Sequence, residues 1–282
     1  MGRRVLITGS SGRLGRTLVR ALGRTHDVVG LDVRAPSKPE ELSASFEGSI
    51  TDVDLVAEAM EGVDTVVHCA AHPGPVQPFH TLIETNVKGT FILLEEAGKR
   101  AEVERFIFAS SIQWHGLHEE YGGRQAPEHL PVSEEHPSLA TGYYDTSKVL
   151  AEHLCQTYVR RFGKPCVAMR PGWIITEDLE ASFRAVPPPD YAHLNDYVGA
   201  SDLARAVELL LEYDPPEGYD AFLFHADDQR STLPSADLVE QYFPGVSVDA
   251  ERLGVCEGFG ALVDCTRAKE RLGWQPAFRC QR

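Results

Sequence analysis

The stretch VLITGSSGRLGRTL, residues 5–18, decides the fold. A short β-branched and apolar run leads into Gly9, Gly12 and Gly15, and a helical pattern follows. In a strand-turn-helix unit of this kind, glycines let the backbone approach a pyrophosphate, which lies at the helix N-terminus where free amides point outward. The pattern therefore predicts a dinucleotide-binding loop, and the alternative is an ordinary glycine-rich turn.

Outward from this loop, apolar runs alternate with helical patterns as far as about residue 170. Strands are predicted over 5–8, 27–31, 64–70, 105–110 and 165–170, and helices near 13–24, 52–61, 78–101 and 144–162. Such alternation is typical of an α/β fold with a doubly wound parallel sheet, a Rossmann sheet, covered on both faces.

After residue 171 the alternation ends. A Pro-rich loop is predicted at 185–196, and it is followed by helix 201–213, strand 220–225, a helix near 234–242 and a last helix at 266–274. The sequence thus predicts an NAD-binding Rossmann domain at 1–172. A smaller substrate-binding lobe at 173–282 would pack partly back on it.

Composition restricts the partners. The chain has 282 residues and a formal net charge of −15, which argues against nucleic acid because nucleic-acid binders carry basic patches. No apolar run approaches the ~20 residues of a membrane span. Six cysteines without a C-x-x-C pair predict reduced thiols and a cytoplasmic location.

Asp32 closes the second predicted strand, about 20 residues past the glycines. A carboxylate there suits the ribose hydroxyls of NAD and would repel the 2′-phosphate of NADP. Arg34 lies two residues on and could serve NADP instead. NAD is favoured, and NADP stays open.

The full glycine spacing is T-G-x-x-G-x-x-G, and with it the chain resembles the extended branch of the short-chain dehydrogenase/reductase superfamily, the NAD-dependent epimerase/dehydratase family. The likeness covers nearly the whole chain. Its other motifs are VVHCAA (66–71), ETNVKGT (84–90), FIFASSI (106–112), YYDTSK (143–148), RPG (170–172) and DCTRAKERLGWQP (264–276).

The resemblance implies a Ser-Tyr-Lys mechanism. Tyr144 would exchange the proton of a substrate hydroxyl, Lys148 would stabilise the phenolate and bind the nicotinamide ribose, and Ser111 would hydrogen-bond the reacting oxygen. Tyr144 is the better tyrosine because residues four apart share a helix face, whereas Tyr143 lies five before Lys148. Ser110 is interpreted as structural.

The resemblance also implies which residues bind the cofactor. They are Gly9, Ser11, Gly12, Arg13, Leu14, Gly15, Asp32, Val33, Ser49, Ile50, Ala70, Ala71, Asn86, Tyr144, Lys148 and Gly172. Asn86 would keep the central helix in place. Ser49 stands where many members carry an aspartate that touches adenine, so this contact is weaker here or made differently.

Within the family, the chain is similar to uronate dehydrogenase-like sugar dehydrogenases, but Ile112 and Gln113 replace the Asn-His pair that binds the uronate. The short second lobe favours a small sugar, sugar acid, polyol or other secondary alcohol. The substrate candidates are His72, Gln113, Trp173 and Arg184. Arg184 could bind a carboxylate or phosphate, or simply be a surface arginine, and Trp173 is a pocket wall or core.

His68 and His72 are four apart, but no third ligand is evident, so no metal site is predicted. His115 and His118 follow Ser111 and are either substrate contacts or solvated loop histidines. Asp145 stands where many members have glycine, and it would face the substrate or the helix start.

Three functions are weighed. The first is an NAD-dependent oxidoreductase acting on a small hydroxy or carbonyl compound. The alternative is a nucleotide-sugar epimerase or dehydratase that retains and recycles its NAD. A non-enzymatic nucleotide sensor is opposed by the intact Ser111, Tyr144 and Lys148. By family analogy, helices 78–101 and 144–162 would form a homodimer interface.

Overall fold

A computed structural model describes residues 2–74, 78–117, 125–185, 194, 196–253 and 255–280. Its strands are β1 (Arg4–Thr8), β2 (Asp27–Asp32), β3 (Ala44–Glu47), β4 (Thr65–His68), β5 (Arg105–Ala109), β6 (His129–Leu130), β7 (Cys166–Pro171), β8 (Trp173–Ile175), β9 (Tyr197–Gly199), β10 (Tyr219–Phe224) and β11 (Ser247–Val248). Seven of them form one parallel sheet in the order β10-β7-β5-β4-β1-β2-β3.

Helices cover both faces of this sheet. The helical segments of the described residues, not all of which lie on the sheet, are α1 (Arg13–Leu22), α2 (Val53–Ala59), α3 (His80–Leu82), α4 (Thr90–Lys99), α5 (Tyr143–Phe162), α6 (Glu177–Ala185), α7 (Ala200–Leu210), α8 (Ser235–Tyr242), α9 (Ala250–Leu253), α10 (Val255–Gly258) and α11 (Thr266–Leu272). The short segment α10 contains two residues with left-handed backbone angles, Cys256 and Glu257. A π-helical stretch, Ile83–Gly89, joins α3 to α4. No helix within these ranges is long and apolar enough to cross a membrane.

Alternation along the strands builds two cores. In β1, Val5 and Ile7 pack into the core formed with α1, α7 and α11, while Leu6 packs into the core formed with α2, α4 and α5. Side chains of a strand point alternately to opposite faces, so one apolar strand serves both layers. The predicted doubly wound fold is confirmed.

The sheet draws on both parts of the chain. β10 pairs with β7 from Cys166 to Pro171, so a strand from the second half completes the sheet of the first. The boundary near residue 172 stays a prediction. Short strands β8 and β9, and helix α6, lie where no such elements are predicted. Most of the Pro-rich loop 185–196 is outside the described residues.

Candidate active site

The glycine loop lies between the ends of β1 and β4. Gly9 has φ +70°, and a Cβ there would lie 2.7 Å from the amide nitrogen of Ala70. A Cβ at Gly15 would collide with the carbonyl oxygen of Gly9, to which the amide of Gly12 donates at 2.9 Å. The loop is therefore a bare backbone cradle at the start of α1, which fits a pyrophosphate.

Asp32 is fixed beside this cradle. Its carboxylate accepts hydrogen bonds from the amides of Ser11 and Arg34, each at 2.9 Å. The Arg34 side chain is largely exposed; its Nε lies 3.6 Å from the carboxylate, and its Nη2 donates to the Ser11 carbonyl at 3.0 Å. The Asp32 carboxylate is thus held at the end of β2, next to the glycine loop, and the Arg34 guanidinium lies close to it.

Three further predicted cofactor residues, Val33, Ser49 and Ile50, follow the ends of β2 and β3 at the same edge of the sheet. Val33 is 65% exposed beside Asp32, whereas Ile50 is buried against Gly89 at the end of the π-helical stretch. Ser49 Oγ is 2.8 Å from Thr51 Oγ1 and so turns toward its own loop. These positions are compatible with an adenosine site, but the adenine contact itself stays a prediction.

Tyr144 and Lys148 lie on one buried face at the start of α5. Lys148 Nζ donates to the Ala109 carbonyl at 2.8 Å and lies 5.0 Å from the ring centroid of Phe108 and 5.7 Å from that of Tyr144. Burial lowers the pKa of Lys148 to about 8. Tyr143 instead is 53% exposed and stacks on Phe79 with centroids 4.6 Å apart.

The end of β5 places two neighbouring serines in different directions. Ser111 precedes the 3₁₀ turn Ile112–His115, and its Oγ accepts from the Gln113 amide at 3.2 Å. Ser110 Oγ donates to buried Glu152 at 2.5 Å. Within the described part of the chain the Ser111 hydroxyl donates no hydrogen bond, whereas that of Ser110 donates to Glu152.

Asn86 joins three parts of the site from within the π-helical stretch. Its Oδ1 accepts from the His72 amide at 2.8 Å, and its Nδ2 donates to the His72 carbonyl at 3.2 Å and to Ser147 Oγ at 3.1 Å. Ser147 lies between Tyr144 and Lys148 on α5. A π-helical turn is frequent at functional sites, and here it carries the residue that fixes α5 relative to the segment after β4.

Two of the substrate candidates, Trp173 and Arg184, lie in different environments. Trp173 is 45% exposed just past Gly172, packs edge-to-face on Phe183, and has the Arg230 guanidinium 5.5 Å from its ring. Arg184, in contrast, forms an ion pair with Glu180 at 3.0 Å and donates to the Arg279 carbonyl. Arg184 therefore has partners inside the protein, and its role in substrate binding stays a prediction.

Two histidines near the site, His68 and His115, are buried in the core. His68 is buried, with Thr8 Oγ1 at 2.7 Å and Thr90 Oγ1 at 2.9 Å, and burial lowers its pKa to about 3. His115 is also fully buried, so it is not a solvated loop residue, while His118 lies outside the described residues. Within the described ranges, no three or more His, Cys, Asp or Glu side chains are arranged to hold a metal.

Sequence reasoning missed three buried ionisable groups at this end. Glu152 follows Lys148 by four residues, a spacing that could have identified it. Asp196 and His225 come together behind Gly172, with Asp196 Oδ2 3.5 Å from His225 Nδ1. That pair joins β9 to the end of β10, and no local pattern links the two.

A family model described as the NAD dependent epimerase/dehydratase family matches residues 5–181. The chain belongs to this family. Its members are NAD-dependent enzymes of the extended short-chain dehydrogenase/reductase type, so the predictions of an enzyme and of NAD as cofactor are confirmed.

Two relatives from Haloferax volcanii are 34% identical to the chain. One is L-arabinose 1-dehydrogenase (NAD(P)(+)), matched over 62% of this chain and 68% of its own length. The other is an NAD-dependent glucose-6-phosphate dehydrogenase, matched over 42% of this chain and 47% of its own length. For the second, the match spans about half of the relative.

Solved structures share the fold at lower identity. A short-chain dehydrogenase/reductase superfamily protein from Agrobacterium tumefaciens with bound NAD has a TM-score of 0.75 and 22% identity, covering 98% of this chain and 93% of that one. Uronate dehydrogenase from the same organism has a TM-score of 0.69 and 20% identity, covering 99% and 85%.

Proposed function

We propose that this family member is an oxidoreductase that moves hydride between NAD and a secondary alcohol or carbonyl of a small, sugar-like substrate. The observation that carries the proposal is the buried Lys148 ammonium, held by the Ala109 carbonyl next to the ring of Tyr144. A cation buried beside a phenol stabilises the phenolate, which is the form that accepts a proton from an alcohol.

The proposed roles follow from these positions. Tyr144 takes the proton of the substrate hydroxyl during oxidation and returns it during reduction. Ser111 donates its hydroxyl hydrogen to the reacting oxygen, while the hydrogen bond that its Oγ accepts from the Gln113 amide holds the hydroxyl in place. Asn86 holds α5 so that Tyr144 stays in register with the end of β5.

The adenosine and pyrophosphate parts of the cofactor would be held at the carboxyl ends of β1 and β2. The amides of the Gly9–Gly15 loop would bind the pyrophosphate, and Asp32 would bind the adenosine ribose. When bound, the nicotinamide supplies the hydride acceptor for oxidation and the donor for reduction.

A small substrate is supported by the named relatives and by the site. The two dehydrogenases from Haloferax volcanii act, by name, on a pentose and on a phosphorylated hexose. Gln113 and Trp173 flank the place where such a substrate would lie, at the carboxyl ends of β5 and β7.

The test is the absorbance of reduced nicotinamide. The protein is mixed with NAD or NADP and a panel of aldoses, sugar acids, sugar phosphates and polyols. We expect steady NADH production with one compound class and a kcat lower by about 10²–10⁴-fold in Tyr144→Phe, because a positioned acid/base contributes that much. Tyr143→Phe is the matched control and should retain activity. Unchanged turnover in Tyr144→Phe would refute the mechanism.

The second candidate is an epimerase or dehydratase that keeps and recycles its NAD. It is supported by a relative from Bacillus subtilis that bears the name uncharacterized UDP-glucose epimerase YtcB. That relative is 29% identical over 59% of this chain and 55% of its own length. NAD retained through purification, with conversion of a UDP-sugar and no net NADH, would favour this candidate.

A homodimer is part of the proposal. Phe91 on α4 and Leu150 on α5 are 46% and 41% exposed, and a second copy could cover them. Light scattering should give twice the chain mass, and a monomer mass at micromolar concentration would contradict the dimer. A cytoplasmic location remains a prediction.

A further inference from the structure

A third polar residue shares the buried face of α5 with Tyr144 and Lys148. Glu152 lies one helical turn beyond Lys148, and only 2% of its surface is exposed. A buried carboxylate is costly unless it is fully hydrogen-bonded, so its partners show what it is for.

The carboxylate of Glu152 has four hydrogen-bond contacts. Oε1 accepts from Ser110 Oγ at 2.5 Å and from Arg170 Nε at 3.0 Å. Oε2 accepts from Arg170 Nη2 at 2.7 Å and from the Tyr219 hydroxyl at 2.9 Å. The guanidinium fork is bidentate, which fixes direction as well as distance.

These contacts tie α5 to the strand ends that build the site. Ser110 immediately precedes Ser111 at the end of β5. Arg170, near the end of β7, lies two residues before Gly172, and its guanidinium is 3.6 Å from the ring of Trp114 in the 3₁₀ turn after Ser111. One carboxylate therefore sets the spacing between the helix that bears Lys148 and the loop that bears Ser111.

The electrostatic setting of Lys148 gives Glu152 a second effect. His68 at the end of β4 and the Cys69 thiol just after it act on Lys148 from the sheet. Tyr144, Glu152 and Cys155 act on it from α5.

At neutral pH most of these groups are uncharged. Burial lowers the pKa of His68 to about 3, raises that of Cys69 to about 12 and raises that of Cys155. Among the described groups acting on Lys148, Glu152 is then the anion that opposes the desolvation of the ammonium.

We infer that Glu152 is a positioning residue of the proposed reaction: it locks α5 to the ends of β5 and β7 and keeps Lys148 in its charged form. The inference rests on the proposed function for its catalytic meaning. The contacts and the charge effect can be measured without turnover.

The experiment titrates Lys148 itself, by NMR of protein labelled with ¹³C at lysine Cε, with the signal assigned by its loss in Lys148→Met. Glu152→Gln keeps the shape but leaves Arg170 with a buried unpaired charge. The double variant Glu152→Gln/Arg170→Gln removes both charges, so it can fold where the single variant does not. Glu96→Gln is the matched control, because it removes an ion pair between Glu96 on α4 and Arg100 just after that helix.

The expected result is a pKa of Lys148 lower by at least about half a unit in both Glu152 variants, because an anion that favours the ammonium is gone. In the Glu152→Gln protein the alkaline limb of the kcat profile should move to lower pH by the same amount, with the KM for NAD changed by less than about threefold. Glu96→Gln should leave both readouts unchanged.

The structural alternative makes a different prediction. If Glu152 only balances Arg170, the double variant should recover the melting temperature and also the wild-type pKa of Lys148. That outcome, or an unchanged pKa in Glu152→Gln, would overturn the inference. Failure of the proposed function would appear separately, as full turnover in Tyr144→Phe. That result would leave the shift of the Lys148 pKa in the Glu152 variants as expected.

Discussion

The two ends of the site differ in how their polar atoms are satisfied. At the cofactor end, the glycine loop and Asp32 are joined by backbone amides, and the carboxylate has a donor at each oxygen. At the substrate end, several buried polar atoms have no hydrogen-bond partner within the described residues. They belong to Gln113, Trp114, His115, Asp196 and His225.

The difference indicates how each end recognises its ligand. The cofactor end is shaped by the chain alone and offers a cradle of fixed form. Unpaired buried polar groups cost roughly 1–3 kcal/mol each, and such groups are found where ligand or water completes the hydrogen bonding. We therefore expect substrate selectivity to be more sensitive to changes at the substrate end than at the cofactor end.

The largest effect is expected from crowding the cradle. In Gly15→Ala the added methyl collides with the Gly9 carbonyl, so the loop must shift. We expect NAD affinity to fall more than about 100-fold and the free energy of unfolding to fall by roughly 1–3 kcal/mol. Calorimetric titration with NAD and a urea melt measure both. Gly163→Ala, at the end of α5, is a control with positive φ but an open environment. Intact NAD binding in Gly15→Ala would show that the Gly9–Gly15 loop can shift without losing the cofactor.

Cofactor choice should respond next. Asp32→Ser removes the charge that would repel a 2′-phosphate and leaves Arg34, which lies next to the proposed ribose site. The ratio of kcat/KM for NAD over NADP should fall by about 10–100-fold. Arg34→Ala should move the ratio the other way. If Asp32→Ser leaves the ratio unchanged, the ribose is recognised elsewhere.

The buried carboxyl of Asp196 predicts that the stability of the protein depends on pH. Burial raises the pKa of the Asp196 carboxyl to about 6 from 3.8, so between these values the native state binds more protons than the unfolded chain. This group therefore makes the protein less stable as the pH rises from about 4 to 6. Asp196→Asn does not titrate and should be more stable than the wild type by roughly 1–3 kcal/mol at pH 8, with little gain at pH 4. Urea melts at both pH values test the sign, and an equal effect at both would disprove it.

The smallest effect concerns the exposed wall of the substrate end. Trp173→Ala should cost less than about 1 kcal/mol of stability because nearly half of the ring is already exposed. The KM for substrate should rise by roughly 3–10-fold with the KM for NAD unchanged. A change in the KM for NAD instead would assign Trp173 to the cofactor end.

The same contrast explains how far the sequence could be interpreted. The strand-glycine-helix unit and the buried runs predict the sheet, because local spacing determines which face each residue takes. Helical periodicity predicts in the same way that Tyr144 and Lys148 share one face of α5, whereas their catalytic roles come from the family resemblance and stay a prediction. The pairing of Asp196 with His225, and the contact of Arg230 with Trp173, depend on how distant loops meet above the strands, and no local pattern encodes that. Arg184 shows the same limit, since its partner Arg279 lies far along the chain.

The pairing of β10 with β7 has a consequence for biosynthesis. Until residues 219–224 have left the ribosome, β7 is the outermost strand of the growing sheet, with its outward amides and carbonyls unpaired. An uncovered parallel edge is a template for association with other nascent chains. The exposed edge of β7 therefore has to be protected, by chaperones or by rapid synthesis, while about 50 further residues are made. At roughly 5–20 residues per second this takes some 3–10 s. A fragment ending at residue 172 would keep that edge permanently and should aggregate when expressed alone.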